Sequence, residues 1–300
     1  MSQEEVLPHV VLTVGSFDGV HLGHLRILNE VVEAARRANG TAVVMTMQPH
    51  PREFFAPDHP PNLLTADQKK FELIQGAGID AVVLLPFNEK ISNLDRRAFV
   101  EEIVIKACHA KEMIVGHDFC FGKDAQGDFE FLQQIAPEVG LNVRQIPPLI
   151  IAGERVSSTA IRERLLQGDL QKAEQFLGRK YSIVGEVVSG RGIGLTLGFP
   201  TANIKPHHTA VPAQGVYIGE AVSEGQSYPA AINIGIAPTI QHEDLTVEAF
   251  LLDFDGELRH KEIELIFHVR LRSEKKFSSH DELIAAIQQD VQSVKHYFSS

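Results

Sequence analysis

The chain has 300 residues, 44% of them hydrophobic and 22% charged, with a formal net charge of −11 at pH 7. At roughly 150 residues per domain the length suggests two domains, each able to bury a full core. No apolar run reaches the ~18 residues of a membrane helix, and neither half is basic, with 24 acids against 19 bases in residues 1–180 and 15 against 9 in residues 181–300.

A surface for nucleic acid, which rests on Lys and Arg, is therefore not expected. The opening string MSQEEVLPHV is acidic and has no apolar signal core, so secretion is not expected either. The two cysteines, Cys108 and Cys120, form no disulfide framework or metal cluster, and a reducing cytoplasm is the expected setting. Oligomeric state is not legible.

Val10–Val14 is a continuous apolar run ahead of Gly15, the pattern of a strand buried on both faces. Leu25, Leu28, Val32 and Ala35 recur at helical spacing, and Gly40 ends that helix. A second buried strand is predicted over Ala42–Met47, then a helix from Thr65 to Gln75 with Thr65 as N-cap. The series continues with strand Asp80–Leu85, helix Arg97–His109, strand Glu112–Val115, helix Phe129–Ile135 and strand Leu141–Ile146. Such alternation implies an α/β domain with a parallel sheet, whose ligands bind at the carboxyl ends of its strands. That rule points to the loops after Val14, Met47, Val115 and Ile150. Helices at Ser158–Gln167 and Leu170–Leu177 form a neck, and the pattern changes after Leu177-Gly178-Arg179. Short β-type runs follow at Ser182–Val188, Gly215–Val222, Ala230–Ile234, Thr246–Phe254 and Ile263–Leu271. Their spacing fits a small antiparallel barrel or sandwich. A closing helix is predicted over Asp281–Tyr297, capped by Ser279. The domains divide as 1–180 and 181–300.

The first chemical string, Gly15-Ser16-Phe17-Asp18-Gly19-Val20-His21-Leu22-Gly23-His24, lies between a buried strand and an amphipathic helix. Free N–H groups and the helix dipole attract phosphate there. Gly15 and Gly19 let the backbone approach a ligand, and Gly23 keeps the first turn bare for a base or sugar. His21 and His24 are three apart and share one side of that turn. Two imidazole donors can stabilise charge moving from an α-phosphorus to departing pyrophosphate. A capped helix with two surface histidines is the plain alternative. A metal pair is another, but no third ligand has convincing spacing. The second string, Ser157-Ser158-Thr159-Ala160-Ile161-Arg162, opens a helix with hydroxyls and bare N–H groups, with Arg162 one turn in. It suits the β- and γ-phosphates of a nucleoside triphosphate, or it is an ordinary N-cap with a solvated arginine.

With these strings on the page, the sequence resembles the HxGH nucleotidyltransferases, and more narrowly the bifunctional prokaryotic riboflavin kinase/FAD synthetase family. The supporting strings run nearly the whole chain: GSFDGVHLGH, PHP at Pro49–Pro51, DFCFG at Asp118–Gly122, SSTAIR and LGFPTAN at Leu197–Asn203. GVY at Gly215–Tyr217, NIG at Asn233–Gly235, Pro238-Thr239, Glu248 within VEAFLLDF and LRSEKKF at Leu271–Phe277 complete them. The resemblance implies a Rossmann-like FMN adenylyltransferase followed by an antiparallel β-barrel riboflavin kinase with a terminal helix. Its substrates and products would be ATP, riboflavin, FMN and FAD, with Mg²⁺ as cofactor.

In that frame Gly198-Phe199-Pro200-Thr201-Ala202-Asn203 carries the kinase. Pro200 fixes the backbone, Gly198 allows close approach, and Thr201 and Asn203 offer hard oxygens for Mg²⁺. A turn whose side chains bond their own backbone would look the same. The resemblance makes Glu248 the base for the ribityl 5′-hydroxyl; by pattern alone it is a solvent-facing strand residue. It also puts His50, between two prolines, near the adenylyltransferase site, where a rigid surface turn reads equally well. Asp118 and Phe119 can bond and stack on flavin, or Phe119 is core. Asn62 reads as loop, Arg179 as neck, His207-His208 as a solvated turn, and Lys275 and Lys276 as a surface pair.

Three positions depart from the family: Cys120 in place of an arginine, Leu195 in place of a basic residue, and Leu258-Arg259-His260-Lys261 in place of a Tyr-Gly turn. A single-activity kinase with a degenerate adenylyltransferase domain, another HxGH enzyme, and a non-catalytic flavin-binding sensor are the competing readings.

Overall fold

Val10–Val14 forms β1, buried at every residue, the middle strand of a five-stranded parallel sheet. The computed structural model containing it describes residues 7–190, 194, 197–207, 210–238 and 243–299. Leu195, His208 and Thr239, singled out above, lie outside the described residues. The chain divides into two compact units, Met1–Pro61 with Asp67–Ser157, and Asn62–Ala66 with Ser158–Ser300.

In the first unit β1 is joined by β2 (Thr41–Gln48), β3 (Ala81–Pro86), β4 (Ala110–Gly116) and β5 (Asn142–Ile146), in the order β3-β2-β1-β4-β5. Every neighbouring pair is parallel. Helix α1 (Leu22–Arg37) links β1 to β2. Between β2 and β3 lie α2 (Pro51–Phe55) and α3 (Asp67–Gly76). Then come α4 (Glu89–Ser92), α5 (Arg96–Ala98), a π-helical stretch Phe99–Ala107, and, after β4, α6 (Phe129–Val139). A short hairpin, β6 (Ile150–Ile151) with β7 (Glu154–Arg155), ends the unit. Val10, Leu12 and Val14 point to one core with Phe99, Val100 and Leu132. Val11 points to the other, with Leu28, Val31 and Ala35 of α1. Burial on both faces is why this strand reads as an unbroken apolar run. Strand order reverses between β1 and β4, which opens a crevice outside their carboxyl ends.

Two expectations shift. The helix expected from Thr65 starts at Asp67, and Thr65 belongs to the second unit. The helix expected over Arg97–His109 is α5 running into the π-helical stretch.

The second unit begins with α7 (Ser158–Gln167) and α8 (Leu170–Leu177). A closed antiparallel barrel follows: β8 (Ser182–Val188), β9 (Ala202–Pro206), β10 (Gly215–Ser223), β11 (Gln226–Pro238), β12 (Glu243–Leu251) and β13 (Glu262–Arg272). Its order around the barrel is β10-β11-β12-β9-β8-β13. β9 is a correction to the sequence reading, which took this stretch as a motif loop; it closes the barrel by pairing with both β12 and β8. β12 starts three residues before the expected Thr246, and β11 is longer than expected at both ends. Ile183, Ile204, Tyr217, Ile232, Val247, Ala249 and Phe267 fill the interior.

Helix α9 (His280–Ser299) lies on the outside of the barrel, with Val291 and Val294 packed on Ile218 and Leu252. Ser279 caps it, its Oγ accepting the Glu282 N–H at 3.2 Å. A guanidinium fork fixes its middle: Arg272 of β13 donates to both carboxylate oxygens of the buried Asp290, at 3.0 and 2.7 Å. At its far end the His268 ring meets the Tyr297 hydroxyl at 3.3 Å and Glu220 at 2.8 Å.

Leu12 is fully buried at the centre of the first unit's sheet. Leu12→Ala is expected to remove about 2–5 kcal/mol from that unit. Urea unfolding should show its transition moving to lower denaturant while the barrel's transition stays in place.

Candidate functional site

At the carboxyl end of β1 the backbone turns sharply. Phe17 and Val20 take φ of 49° and 37°, a region that costs bulky residues about 1–3 kcal/mol each. Phe17, Asp18, Val20 and His21 are all buried, so packing holds the strained turn. His21 is the N-cap of α1: its Nδ1 accepts the His24 N–H at 3.2 Å. A ring nitrogen that accepts carries no proton, so in the neutral ring Nε2 is the donor. The His24 ring stacks on His21 with centroids 3.6 Å apart and 12° between planes, and Phe17 meets His24 edge-on at 5.3 Å.

Gly23 has a more specific reason than the bare turn expected from sequence. A Cβ there would stand 3.1 Å from the His21 ring. The Val156 carbonyl lies 3.7 Å from the same point, so the chain runs past the start of α1 just before Ser157. No acidic residue occupies the first turn of α1, so the positive end of its dipole is not offset from within the helix.

The other sequence candidates in this unit are distributed along the same edge of the sheet. His50 follows β2 and caps α2: its Nδ1 accepts the Arg52 N–H at 3.1 Å, and its own N–H donates to Glu53 at 2.9 Å. Asp118 follows β4 and is held by Arg155 at 2.5 Å. Phe119 stacks on Phe121 at 5.3 Å and packs on the hydrophobic core, while Cys120 is exposed. A feature missed in the sequence is an aromatic trio, Phe54, Phe55 and Phe87, with centroids 5.3–5.7 Å apart, edge to face. Phe55 is 68% exposed. The available signal was a Phe-Phe pair on a short segment just beyond a ligand-facing strand.

Within the second unit, Ser158 opens α7 and Thr159 is exposed. The Arg162 Nε donates to the Asn62 carbonyl at 2.7 Å, a pairing 100 residues apart that spacing cannot show. Arg179 is half-buried beside Glu264; its loss of solvent lowers its pKa to about 10, with Glu264 opposing. His207 pairs with Glu262 at 3.2 Å and His260 with Glu186 at 3.1 Å. Among the described residues no group of three His, Cys, Asp or Glu side chains is placed to hold a metal.

The barrel assembles the third string. Asn203 of β9 stands opposite Glu248 of β12, which stands opposite Asn233 of β11. Cross-strand partners share a face with Cβ atoms about 4.5–5.5 Å apart. Ile204, Val247, Ala249, Ile232 and Ile234 are buried inward, so the Asn-Glu-Asn row lies on the outer face. Glycine backbone walls both oxygen donors: a Cβ on Gly194 would stand 3.1 Å from the Thr201 Oγ1, and one on Gly190 would fall on the Asn203 amide. A second carboxylate, Glu274, lies 2.6 Å from where Gly235 would carry a Cβ, with the Asn233 amide 3.4 Å from the same point. Sequence reasoning named the strings containing Asn233 and Glu274 but gave neither a role. A cleft of about 560 Å³ lies between Phe199 and Phe250 and the helix α9, and its lining also includes Asp253 and Lys295.

Comparison with known proteins finds a family model in each half of the chain. The FAD synthetase family model matches residues 3–160, and the riboflavin kinase model matches residues 177–298. The bifunctional riboflavin kinase/FMN adenylyltransferase of Pseudomonas fluorescens is 38% identical over 282 residues, covering 94% of this chain and 90% of that one. The protein of the same name from Escherichia coli (strain K12) is 36% identical over 289 residues, covering 96% and 92%. A crystal structure named as a macrolide-efflux protein from Streptococcus pneumoniae superposes with a TM-score of 0.85 at 28% identity, over 96% of this chain and 94% of that one. With both family models in order on one chain, and relatives this similar over nearly its full length, the protein belongs to the bifunctional riboflavin kinase/FMN adenylyltransferase family.

Proposed function

We propose that this protein makes both flavin cofactors in sequence. The barrel unit transfers the γ-phosphoryl group of ATP to riboflavin, giving FMN and ADP. The α/β unit joins FMN to the AMP portion of a second ATP, giving FAD and pyrophosphate. The observation that carries the reading is the register row of Asn203, Glu248 and Asn233, which sets a carboxylate between two amides on the barrel's outer face.

In the barrel, Thr201 and Asn203 fit Mg²⁺ by donor chemistry: both carry hard oxygens two residues apart, and such an ion would keep phosphate oxygens and water in its other positions. When bound, Mg²⁺ neutralises charge on the triphosphate. Gly198 and Pro200 shape the loop that carries this pair. Glu248 takes the proton of the ribityl 5′-hydroxyl as that oxygen attacks the γ-phosphorus and ADP leaves. Positioning supplies most of the rate in such transfers. The apolar side of the cleft, Phe199 and Phe250, receives the flavin ring.

In the α/β unit, an FMN phosphate oxygen attacks the α-phosphorus of ATP and pyrophosphate leaves. His21 and His24, backed by the α1 dipole, donate hydrogen bonds to the charge that develops. Gly15, Phe17, Asp18 and Gly23 form the turn under the nucleotide. Ser157 closes this unit and offers a hydroxyl to the outer phosphates; Ser158, Thr159 and Arg162, which open α7 of the second unit, offer hydroxyls, N–H groups and a guanidinium of the kind that binds phosphate. The exposed face of Phe54, Phe55 and Phe87 offers the flavin ring a stacking surface at the same edge, with His50 holding α2 and Asp118 nearby in sequence to the β4 end. Small-molecule substrates and a cytoplasmic setting complete the reading. Among the described residues no helix is long and apolar enough to cross a membrane.

The test is a chromatographic time course with riboflavin, ATP and Mg²⁺. FMN should rise and then give way to FAD; absence of turnover from both riboflavin and supplied FMN would favour a flavin-binding sensor. His21→Ala is expected to lower FAD formation about 10²–10³-fold and to leave FMN formation intact. Glu248→Gln should lower phosphorylation of riboflavin by about 10²–10⁴-fold while FMN supplied directly is still adenylylated at the normal rate.

A further inference from the structure

We infer that Lys70, acting through Asp67 and Gln48, is a positioning residue for FMN in adenylyl transfer, because it holds the Phe54–Phe55–Phe87 surface in place. The inference rests on the reading of that trio as the flavin's stacking surface and deepens it.

The trio needs a support that its own packing does not supply. Helix α2 carries Phe54 and Phe55 and has no buried residue. Most helices in proteins are held by the apolar face they bury, and α2 buries no such face. Phe87 follows β3 and meets both rings edge to face, at 5.4 and 5.7 Å. Those contacts order the three rings among themselves but do not tie them to the sheet. The position of α2 is therefore set at its entry. There the His50 Nδ1 accepts the Arg52 N–H, and the His50 N–H donates to Glu53. This reciprocal cap joins α2 firmly to the chain leaving β2.

Gln48, the last residue of β2, serves both limbs of the trio. Its carbonyl accepts the Phe87 N–H at 3.0 Å. Its side-chain amide donates to the Asp67 Oδ2 at 2.9 Å, across 19 residues of chain. That charge-assisted bond ties the exit from the sheet to the first turn of α3.

Asp67 is held in turn by a buried charge that the mechanism does not use. Its other oxygen, Oδ1, accepts from the Lys70 ammonium at 2.7 Å. Lys70 is 7% exposed. With Ile74, one turn further on, it is the buried side of α3, and Ile74 packs in the core with Val11 and Leu28. A lysine is almost never buried without a partner, so separation of this pair is strongly opposed. The two carboxylate oxygens are thus divided: Lys70 takes one from the core side and Gln48 takes the other from the loop side. The Asp67 side chain is itself partly exposed. Without the ammonium it is free to turn to water, and Gln48 loses its fixed acceptor. Lys70, Asp67 and Gln48 act on the flavin through α2 and Phe87, and none of the three is its stacking surface.

The test is steady-state adenylylation of FMN by full-length variants. Lys70→Met keeps the length of the side chain and removes its charge. It is expected to raise KM for FMN about ten-fold, the worth of one charge-assisted hydrogen bond. KM for ATP, kcat and phosphorylation of riboflavin should stay within about two-fold of wild type. Lys70→Arg should restore most of the FMN affinity. Gln48→Ala removes an exposed amide and no buried charge, so it tests the brace even if Lys70→Met does not fold. It should raise KM for FMN by the same factor, and the double variant should be no worse than either single one. An unchanged KM for FMN in Gln48→Ala overturns the inference. So does a Lys70→Met enzyme whose two KM values and kcat worsen together, the mark of a merely structural ion pair. Phe55→Ala separates the inference from the reading beneath it. If Phe55→Ala weakens FMN and Gln48→Ala does not, the brace alone fails. If Phe55→Ala binds FMN normally, the stacking surface fails and the brace with it.

Discussion

Three backbone pairings carry the second unit: Ala202, Asn203 and Ile204 lie against Ala249, Glu248 and Val247. The other side of β9 pairs with β8 from Gly185 to Val188, so this five-residue strand both closes the barrel and builds its chemistry. A strand's side chains alternate, and a slip of one residue would turn Ile204 outward and Asn203 into the core. Burial of Ile204 forbids that slip. Core packing thus fixes the register, and the register puts Asn203 beside Glu248. The proposed metal ligand and the proposed base are neighbours because an isoleucine must be inside.

The first unit reaches its geometry differently. None of the residues proposed for its site lies on a strand; the sheet supplies an edge and the loops supply the groups. Precision then depends on how tightly each loop is tied. At His21 the tie is a helix cap, a ring stack and a glycine that leaves the ring its space. At His50 it is a reciprocal cap with Glu53. Both histidines spend Nδ1 on a backbone N–H, which orients the ring at the cost of one of its two nitrogens. The same device serves in two loops with different sequences.

Where sequence and structure agree, one physical force dominates. β1 and β8 match their expected bounds because burial alone defines them, on both faces in one case and on alternate residues in the other. α7 and α8 match because sharp capping signals bound them, Asp169 and the left-handed Gly178 on α8. The failures share a cause as well. β9 reads Ala-Asn-Ile-Lys-Pro, with a single fully buried residue, so nothing in its composition separates it from a turn. β12 begins Glu-Asp, and β11 begins Gln-Ser-Tyr-Pro; their polar ends pair through backbone that carries no sequence signature. The HxGH turn and the Thr201–Asn203 pair were legible because their residue types are unusual for their context. The Asn233 partner, the Glu274 carboxylate and the Phe54–Phe55–Phe87 trio were not, since each is defined by what lies across from it.

Closure has a consequence for how the two units meet other protein molecules. A closed barrel leaves little strand edge unpaired, and among the described residues the second unit offers only short stretches of backbone ladder, such as the start of β12 ahead of its pairing with β9. The first unit's sheet has two outer strands. β5 presents Asn142, Arg144 and Gln145, with Arg144 tied to Glu112 and Glu30, a charged border that resists further pairing. β3 is different: it is mostly valine and leucine, and Leu84 stands 45% exposed on it. Proline at its last position, Pro86, removes one donor from that edge. Whatever tendency the first unit has to associate strand to strand is therefore concentrated on one border of its sheet. Crowded, partly unfolded chains would meet there first.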